Sequence, residues 1–199
     1  MGRPTNIDAT DTLVRAAQQG NRAAFRQLYD RYNHRVFRTA NRLLNDRGWA
    51  EDVTQEVFMT VYQRLSTLDF RSSFVTWCYR ITVNACYDAM RKQKRRARYH
   101  AEDVDLHDSD TNLPASASTH PDLAARRYEV QHCVEQALQR LSPILRATFV
   151  LREVEGLSYD EIASVMDCLP GTVSSRITRA RQQLAAFLQG AGIDETYFE

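Results

Sequence analysis

The sequence predicts an all-α protein of two helical domains joined by a flexible acidic linker. Three observations lead there. Apolar residues recur at spacings of three and four through most of the first hundred positions, the period of an amphipathic helix. A polar, acidic stretch containing Pro114 and Pro121 follows, and helical spacing then resumes to near the end. No pair of alternating apolar segments reads as a strand hairpin. The expected divisions are residues 12–98, 99–125 and 126–189. At 199 residues and 43% hydrophobic content, the chain can build two small cores.

The elements follow in order. Thr12–Gln19 reads as a short helix ending at Gly20. From Ala23 to Leu44, Phe25, Leu28, Tyr32, Val36, Ala40 and Leu43 keep one apolar face over about six turns. Asn45-Asp46-Arg47-Gly48 interrupts it. Ala50–Leu65 resumes with Val53, Val57, Val61 and Leu65, leaving Asp52, Gln55, Glu56 and Met59 on another face. Ser66–Ser73 is expected as a loop. A third long helix runs from Phe74 to about Arg95, with Phe74, Trp77, Ile81 and Ala85 as its expected buried stripe. Beyond the linker, Leu123–Leu141 is helical, and Ser142-Pro143 opens another helix through Leu151.

The segment Gly156–Leu184 then reads as a complete helix-turn-helix. Ser158 with Glu161 three residues on forms a capping box, and Ile162 and Met166 give the helix one apolar side. Pro170-Gly171 breaks it, because proline lacks an amide donor and glycine tolerates unusual dihedrals. The second helix buries Val173, Ile177, Ala180 and Leu184 and turns outward Thr172, Ser174, Ser175, Arg176, Thr178, Arg179 and Arg181. Hydroxyls and guanidinium groups on an exposed helix suit base edges and phosphates in a DNA major groove.

The formal net charge of +1 conceals strong polarity. RKQKRRAR, Arg91–Arg98, places six basic residues in eight, whereas Tyr99–Ala125 has no lysine or arginine and carries six carboxylates. Arg91, Lys92, Lys94, Arg95, Arg96 and Arg98 are phosphate-holding candidates. Cys78, Cys86, Cys133 and Cys168 lack paired spacing, and three of them sit where a small apolar residue would serve, so buried structural thiols are expected, with no metal and no cofactor. The N-terminal MGRPTNIDATD has no apolar run, and no stretch reaches the ~20 apolar residues of a membrane span. A cytoplasmic location is expected.

In this order the residues resemble the extracytoplasmic-function (group IV) class of bacterial RNA polymerase sigma factors. AFRQLYDRY (Ala24–Tyr32) is similar to the opening helix of that family's region 2, AEDVTQEVFMTVYQRL (Ala50–Leu65) to region 2.2, and SFVTWCYRITVNACYDAMRKQKR (Ser73–Arg95) to regions 2.3 and 2.4. LSPILRATFVLREVEGLSYDEIASVMDCLPGTVSSRITRAR is similar to region 4.

The resemblance implies that Asp52, Gln55, Glu56 and Met59 dock on a coiled-coil of the polymerase clamp, a face that composition alone leaves readable as simply solvated. It also implies that the loop about Leu68–Ser73, with Phe70, Arg71 and Ser72, captures a flipped minus-10 base. Phe70 stands where a small residue is common among relatives. Trp77, Tyr79, Arg80, Asn84 and Tyr87 would stack and bind the opened strand, Trp77 being equally readable as core. The linker would be either a soluble tether or a mimic of transcript in the polymerase RNA channel. Leu145, Phe149 and Leu151 would divide between core and the polymerase flap. The second helix of the helix-turn-helix would read minus-35 DNA, Ser174 replacing a residue often basic in relatives. The implied partners are core RNA polymerase, promoter DNA and an anti-sigma factor. A free-standing helix-turn-helix regulator leaves the Asp52–Glu56 face and the aromatic helix unexplained. A recombinase or nuclease would need a nucleophile or a third metal-binding carboxylate that the sequence does not supply.

Overall fold

Capped helices build the molecule. The computed structural model describes residues 6–100 and 132–191; the linker expected at 99–125 and the start of the helix expected from Leu123 lie essentially outside them. In order come α1 (Asn6–Gln18), α2 (Arg22–Leu44), α3 (Arg47–Arg64), a 3-10 turn (Leu65–Thr67) and α4 (Phe74–His100). After the interval come α5 (132–140), α6 (Pro143–Phe149), a π-helical turn (Val150–Val154), α7 (Tyr159–Met166) and α8 (Pro170–Gly190). Among the described residues there is no strand.

Each boundary has a local cause. The Asn21 side chain accepts from the Ala24 amide at 3.1 Å and starts α2, and Asn45 ends it in the left-handed conformation. Asp46 accepts from the Trp49 amide at 2.9 Å and starts α3. The Ser73 hydroxyl accepts from the Thr76 amide at 3.1 Å at the head of α4. Ser142 with Pro143 opens α6, and the expected capping box of Ser158 and Glu161 is present on both sides at the head of α7. Two helices differ from expectation in extent: α1 begins at Asn6 rather than Thr12, and the helix after Pro143 turns π-helical at Val150 instead of ending at Leu151.

The first four helices form one bundle. Leu28, Val36, Ala40 and Leu43 of α2 pack on Val53, Val57 and Val61 of α3 and on Phe74, Val83 and Cys86 of α4. The stripe expected on α4 is displaced. Trp77, Ile81 and Ala85 are only partly buried, whereas Cys78, Tyr79, Thr82, Val83, Cys86 and Ala89 are buried. The cause is that α4 is covered from two sides, by α2 and α3 and also by α7.

That second cover is the main departure from two independent bodies on a tether. Val150, Leu151, Leu157, Ile162, Val165, Val173 and Ile177 belong to the same continuous core as the first bundle. Leu151 is therefore core, while Leu145 and Phe149 are partly exposed and lean on a smaller cluster of Ala137, Leu138, Leu141, Ala180 and Leu184. Polar groups fasten the two units as well. Buried Arg146 donates to the carbonyls of Leu138 (2.9 Å), Gln139 (2.7 Å) and Leu141 (3.2 Å), and to that of Leu43 at the end of α2 (2.6 Å). Burial pulls its guanidinium below the usual value, and four carbonyl dipoles substitute for a carboxylate.

Candidate polymerase and nucleic-acid interfaces

On α3, Asp52, Gln55, Glu56 and Met59 are all exposed on one side, as their spacing requires. Asp52, Gln55 and Met59 border a groove between α2 and α3 that the sequence reading missed. Its floor is aromatic: Phe25 meets Tyr62 edge-on at 4.9 Å between ring centroids, and Tyr29 meets Phe58 at 4.8 Å. Met59 and Tyr62 are 58% and 57% exposed and line this groove together with exposed Tyr29, so apolar surface is gathered in one place. The sequence carried a signal for Tyr62, which falls off the Val53–Leu65 stripe, but none for Tyr29, which lies four residues after Phe25 on the α2 stripe.

The loop between α3 and α4 is held rather than slack. Leu65 and Leu68 are buried, Asp69 accepts from the Arg71 amide at 3.1 Å, and the Asp69 carboxylate pairs with the Arg71 guanidinium at 3.0 Å. Phe70 has φ 63°, a conformation uncommon for a residue carrying a β-carbon. Ser72 is half-buried and Arg71 exposed.

Along α4, Arg80 and Asn84 are exposed and Trp77 and Tyr87 half-buried. Arg91, Lys92, Lys94 and Arg95 are all exposed, giving a basic rod at its C-terminal end. Arg91 also pairs with Asp88, and Arg96 lies over the Trp49 ring at 5.3 Å.

Tyr79 is a correction. Expected on the DNA-facing series, it is instead 2% exposed, and its hydroxyl donates to the Glu155 carboxylate. Burial, reinforced by that carboxylate, pushes its phenol well above the usual tyrosine value. The physical reason is the second cover on α4, which encloses the face that Tyr79 shares with Cys78 and Thr82.

Glu155 itself was not singled out from the sequence. Its side chain is 1% exposed and accepts from Arg35 Nε (3.3 Å) and Nη2 (3.2 Å), from Thr39 Oγ1 (2.7 Å) and from Tyr79. The π-helical turn immediately before it delivers the carboxylate into the first bundle. Further contacts join the units at the surface. Arg80 pairs with Asp167 of the interhelical turn at 3.8 Å, and Tyr87 donates to the Pro143 carbonyl at 3.5 Å. Burial pushes the Tyr87 phenol up to about 12, against the opposing influence of Arg176 from α8. Part of the expected DNA-facing side of α4 is thus covered by the helix-turn-helix unit.

On α8, Val173, Ile177, Ala180 and Leu184 are buried as expected. Ser174, Ser175, Thr178, Arg179 and Arg181 are exposed, and Thr172 and Arg176 half-buried. Ser175 and Thr178 donate to carbonyls one turn back, at 2.9 and 3.1 Å, so base contact by either hydroxyl requires a rotation. Arg176 reaches the Cys168 sulfur at 3.5 Å, and Arg181 pairs with Glu153 at 2.6 Å. Among the described residues no group of three or more His, Cys, Asp or Glu could hold a metal ion, and no helix is long and apolar enough to cross a membrane.

Comparison with known proteins agrees with this geometry. Residues 28–96 match the sigma-70 region 2 family and residues 131–184 match the sigma-70 region 4 family. The chain is 38% identical over 180 residues to the RNA polymerase sigma-H factor of Pseudomonas aeruginosa, covering 89% of this chain and 92% of that one. It is 36% identical over 180 residues to the ECF RNA polymerase sigma-E factor of Haemophilus influenzae, covering 89% and 94%. Two solved structures are similar: CnrH in complex with the cytosolic domain of CnrY (TM-score 0.69, 26% identity, 92% of this chain and 99% of that one), and the sigma factor RpoE with the anti-sigma factor NepR from Bartonella quintana (TM-score 0.68, 25% identity, 83% and 96%). The chain belongs to the extracytoplasmic-function sigma factors of the sigma-70 family. It is a transcription initiation factor that directs RNA polymerase to promoters.

Proposed function

We propose that this chain docks on core polymerase through the α2–α3 groove, melts minus-10 DNA with the α3–α4 loop and α4, and reads minus-35 DNA with α8. The observation that carries the proposal is the set of three exposed surfaces of different chemistry on one chain: acidic and aromatic, aromatic and basic, hydroxyl and basic. Asp52, Gln55 and Glu56 supply charge-assisted contacts to a basic clamp element, around the exposed Met59. Phe70, Arg71 and Ser72 receive an unstacked base, and Trp77, Arg80, Asn84 and Tyr87 follow the separated strand. Arg91, Lys92, Lys94 and Arg95 hold phosphates. Thr172, Ser174, Ser175, Arg176, Thr178, Arg179 and Arg181 enter the major groove. Phosphodiester chemistry belongs to the core enzyme, and this chain, working in the cytoplasm, catalyses nothing itself.

The packed arrangement imposes a sequence of events. Elements at minus-35 and minus-10 lie about 25 base pairs apart, roughly 85 Å at 3.4 Å per step. Helices α4 and α8 share one core here, so the helix-turn-helix unit must leave α4 before both elements are read. Core polymerase, with a docking site for each unit, supplies the free energy for that separation. An anti-sigma factor that stabilises the packed form would oppose it; both similar solved structures are complexes with a second protein, and in one of them that protein is an anti-sigma factor. The test is transcription in vitro from a promoter library with purified core polymerase. Addition of this chain is expected to select a promoter subset with shared minus-35 and minus-10 sequences. Unchanged start sites would overturn the proposal.

A further inference from the structure

Helix α1 lies outside the residues that match sigma-70 region 2, yet it grips the loop between α3 and α4 at two points. At the base of the loop, the Gln18 side-chain amide donates to the carbonyls of Leu65 and Leu68, both at 2.9 Å. Both amide protons are thereby spent on the two ends of one 3-10 turn, which closes on itself through Leu68 N–H to Leu65 O at 3.1 Å. At the tip, the Arg15 guanidinium lies over the Phe70 ring, 4.1 Å from its centroid. Arg15 and Gln18 are three residues apart and so share one face of α1.

The Phe70 backbone explains why the tip needs holding. Its φ of 63° belongs to the left-handed region, where glycine sits freely and a β-carbon is crowded. A phenylalanine persists there only if surrounding contacts over-determine the conformation. The cation above the ring is one such contact, and the Asp69–Arg71 hydrogen bond and ion pair on the other side is a second. With one face of its ring taken by Arg15, Phe70 sets the shape of the loop in which it meets a base together with Arg71 and Ser72.

We infer that Arg15 and Gln18 are positioning residues for promoter melting, acting through Phe70 and the 3-10 turn. This rests on the reading of the loop as the minus-10 contact. Neither residue touches DNA; each holds the loop so that the captured base meets a preset site. Misplacing such a site by even an ångström is expensive, because the unstacked base has no alternative partner.

The experiment uses the full chain with core polymerase on a promoter carrying thymines in the minus-10 element, read by permanganate reactivity of unpaired bases. Arg15→Ala and Gln18→Ala should each lower open-complex formation by roughly tenfold and flatten base preference at one minus-10 position. Core affinity should stay at the wild-type value for both variants, and thermal unfolding for Arg15→Ala, whose side chain is exposed; Gln18→Ala gives up two part-buried hydrogen bonds and should lower the unfolding midpoint slightly. Phe70→Gly supplies the deciding background, because glycine adopts the same backbone without a cation to hold it. There Arg15→Ala should change opening by less than about twofold, a non-additivity diagnostic of coupling. Equal losses in both backgrounds would mean that Arg15 contacts DNA directly, and no loss in either would mean that α1 does not position the loop. Either result overturns the inference alone. If Arg71→Ala with Ser72→Ala leaves opening and base preference intact, the loop reading falls and the inference with it.

Discussion

Replacing Glu155 by alanine removes the most deeply enclosed link between the two helical units, and its cost can be worked from the contacts. The carboxylate is 1% exposed and accepts from Arg35, Thr39 and Tyr79. Thr39 keeps a partner, since its single hydroxyl proton can turn to the Arg35 carbonyl, 3.0 Å away. Tyr79 loses its acceptor inside the core, which costs about 1–3 kcal/mol. Breaking a buried pair costs about 3–5 kcal/mol, but the Arg35 side chain is 38% exposed and recovers water, so its share falls at or below the low end. The sum is about 3 kcal/mol, and Glu155→Gln, which keeps a carbonyl acceptor, should cost about half that. If the loss falls on the packing between units, a 3 kcal/mol change shifts packed against separated forms by roughly 150-fold. Small-angle scattering of the free chain should then show Glu155→Ala larger than wild type, and denaturant unfolding should show an earlier loss for α6–α8. Unchanged size and stability within about 0.5 kcal/mol would refute the reasoning, because that is the range of an ordinary surface substitution.

Three further outcomes are expected. Asp52→Ala with Glu56→Ala should weaken core polymerase binding by roughly 2–4 kcal/mol in a titration at moderate salt, with the fold retained because both side chains are exposed. Arg176→Ala and Arg179→Ala should each cost roughly 1–3 kcal/mol in minus-35 binding by the holoenzyme. A base reader relaxes preference at one position, whereas a phosphate clamp weakens all sequences alike, and footprinting across single-base variants separates the two. Burial pushes the Cys78 and Cys86 thiols up to about 12, so alkylation of the native chain near pH 8 should label Cys133 and Cys168 and spare those two until unfolding. Rapid labelling of all four would contradict the packing of α4.

Much of this was legible because the signals are periodic and local. The apolar positions of α2, α3 and α8 came straight from spacing, as did the caps at Ser142 and Ser158, whose partners lie within three residues. What escaped depends on contacts distant in sequence. Glu155 reads as a surface carboxylate until Arg35, Thr39 and Tyr79, between 76 and 120 residues away, close around it. The α4 stripe was misplaced for the same reason: one helix served by two neighbours has no single apolar face, and Tyr79 sits where the second neighbour arrives. The two units were expected as separate bodies because an acidic, proline-bearing stretch divides them in sequence. Val150, Leu151 and Ile162 nevertheless share a core with Val36 and Val57. Phe70 was singled out for its size, but its left-handed backbone and the cation over its ring have no local signature.

The central claim is that the two DNA-reading surfaces work together only when polymerase holds them apart. Promoter affinity measured by fluorescence anisotropy at physiological salt, with and without core enzyme, tests it most directly. The free chain is expected to bind weakly and with little sequence preference, because the helix-turn-helix unit covers part of α4 through Arg80–Asp167 and Tyr87–Pro143. Added core enzyme should bring tight binding that depends on both the minus-35 and minus-10 sequences. Tight, specific binding by the free chain, unaffected by core enzyme, would contradict the account.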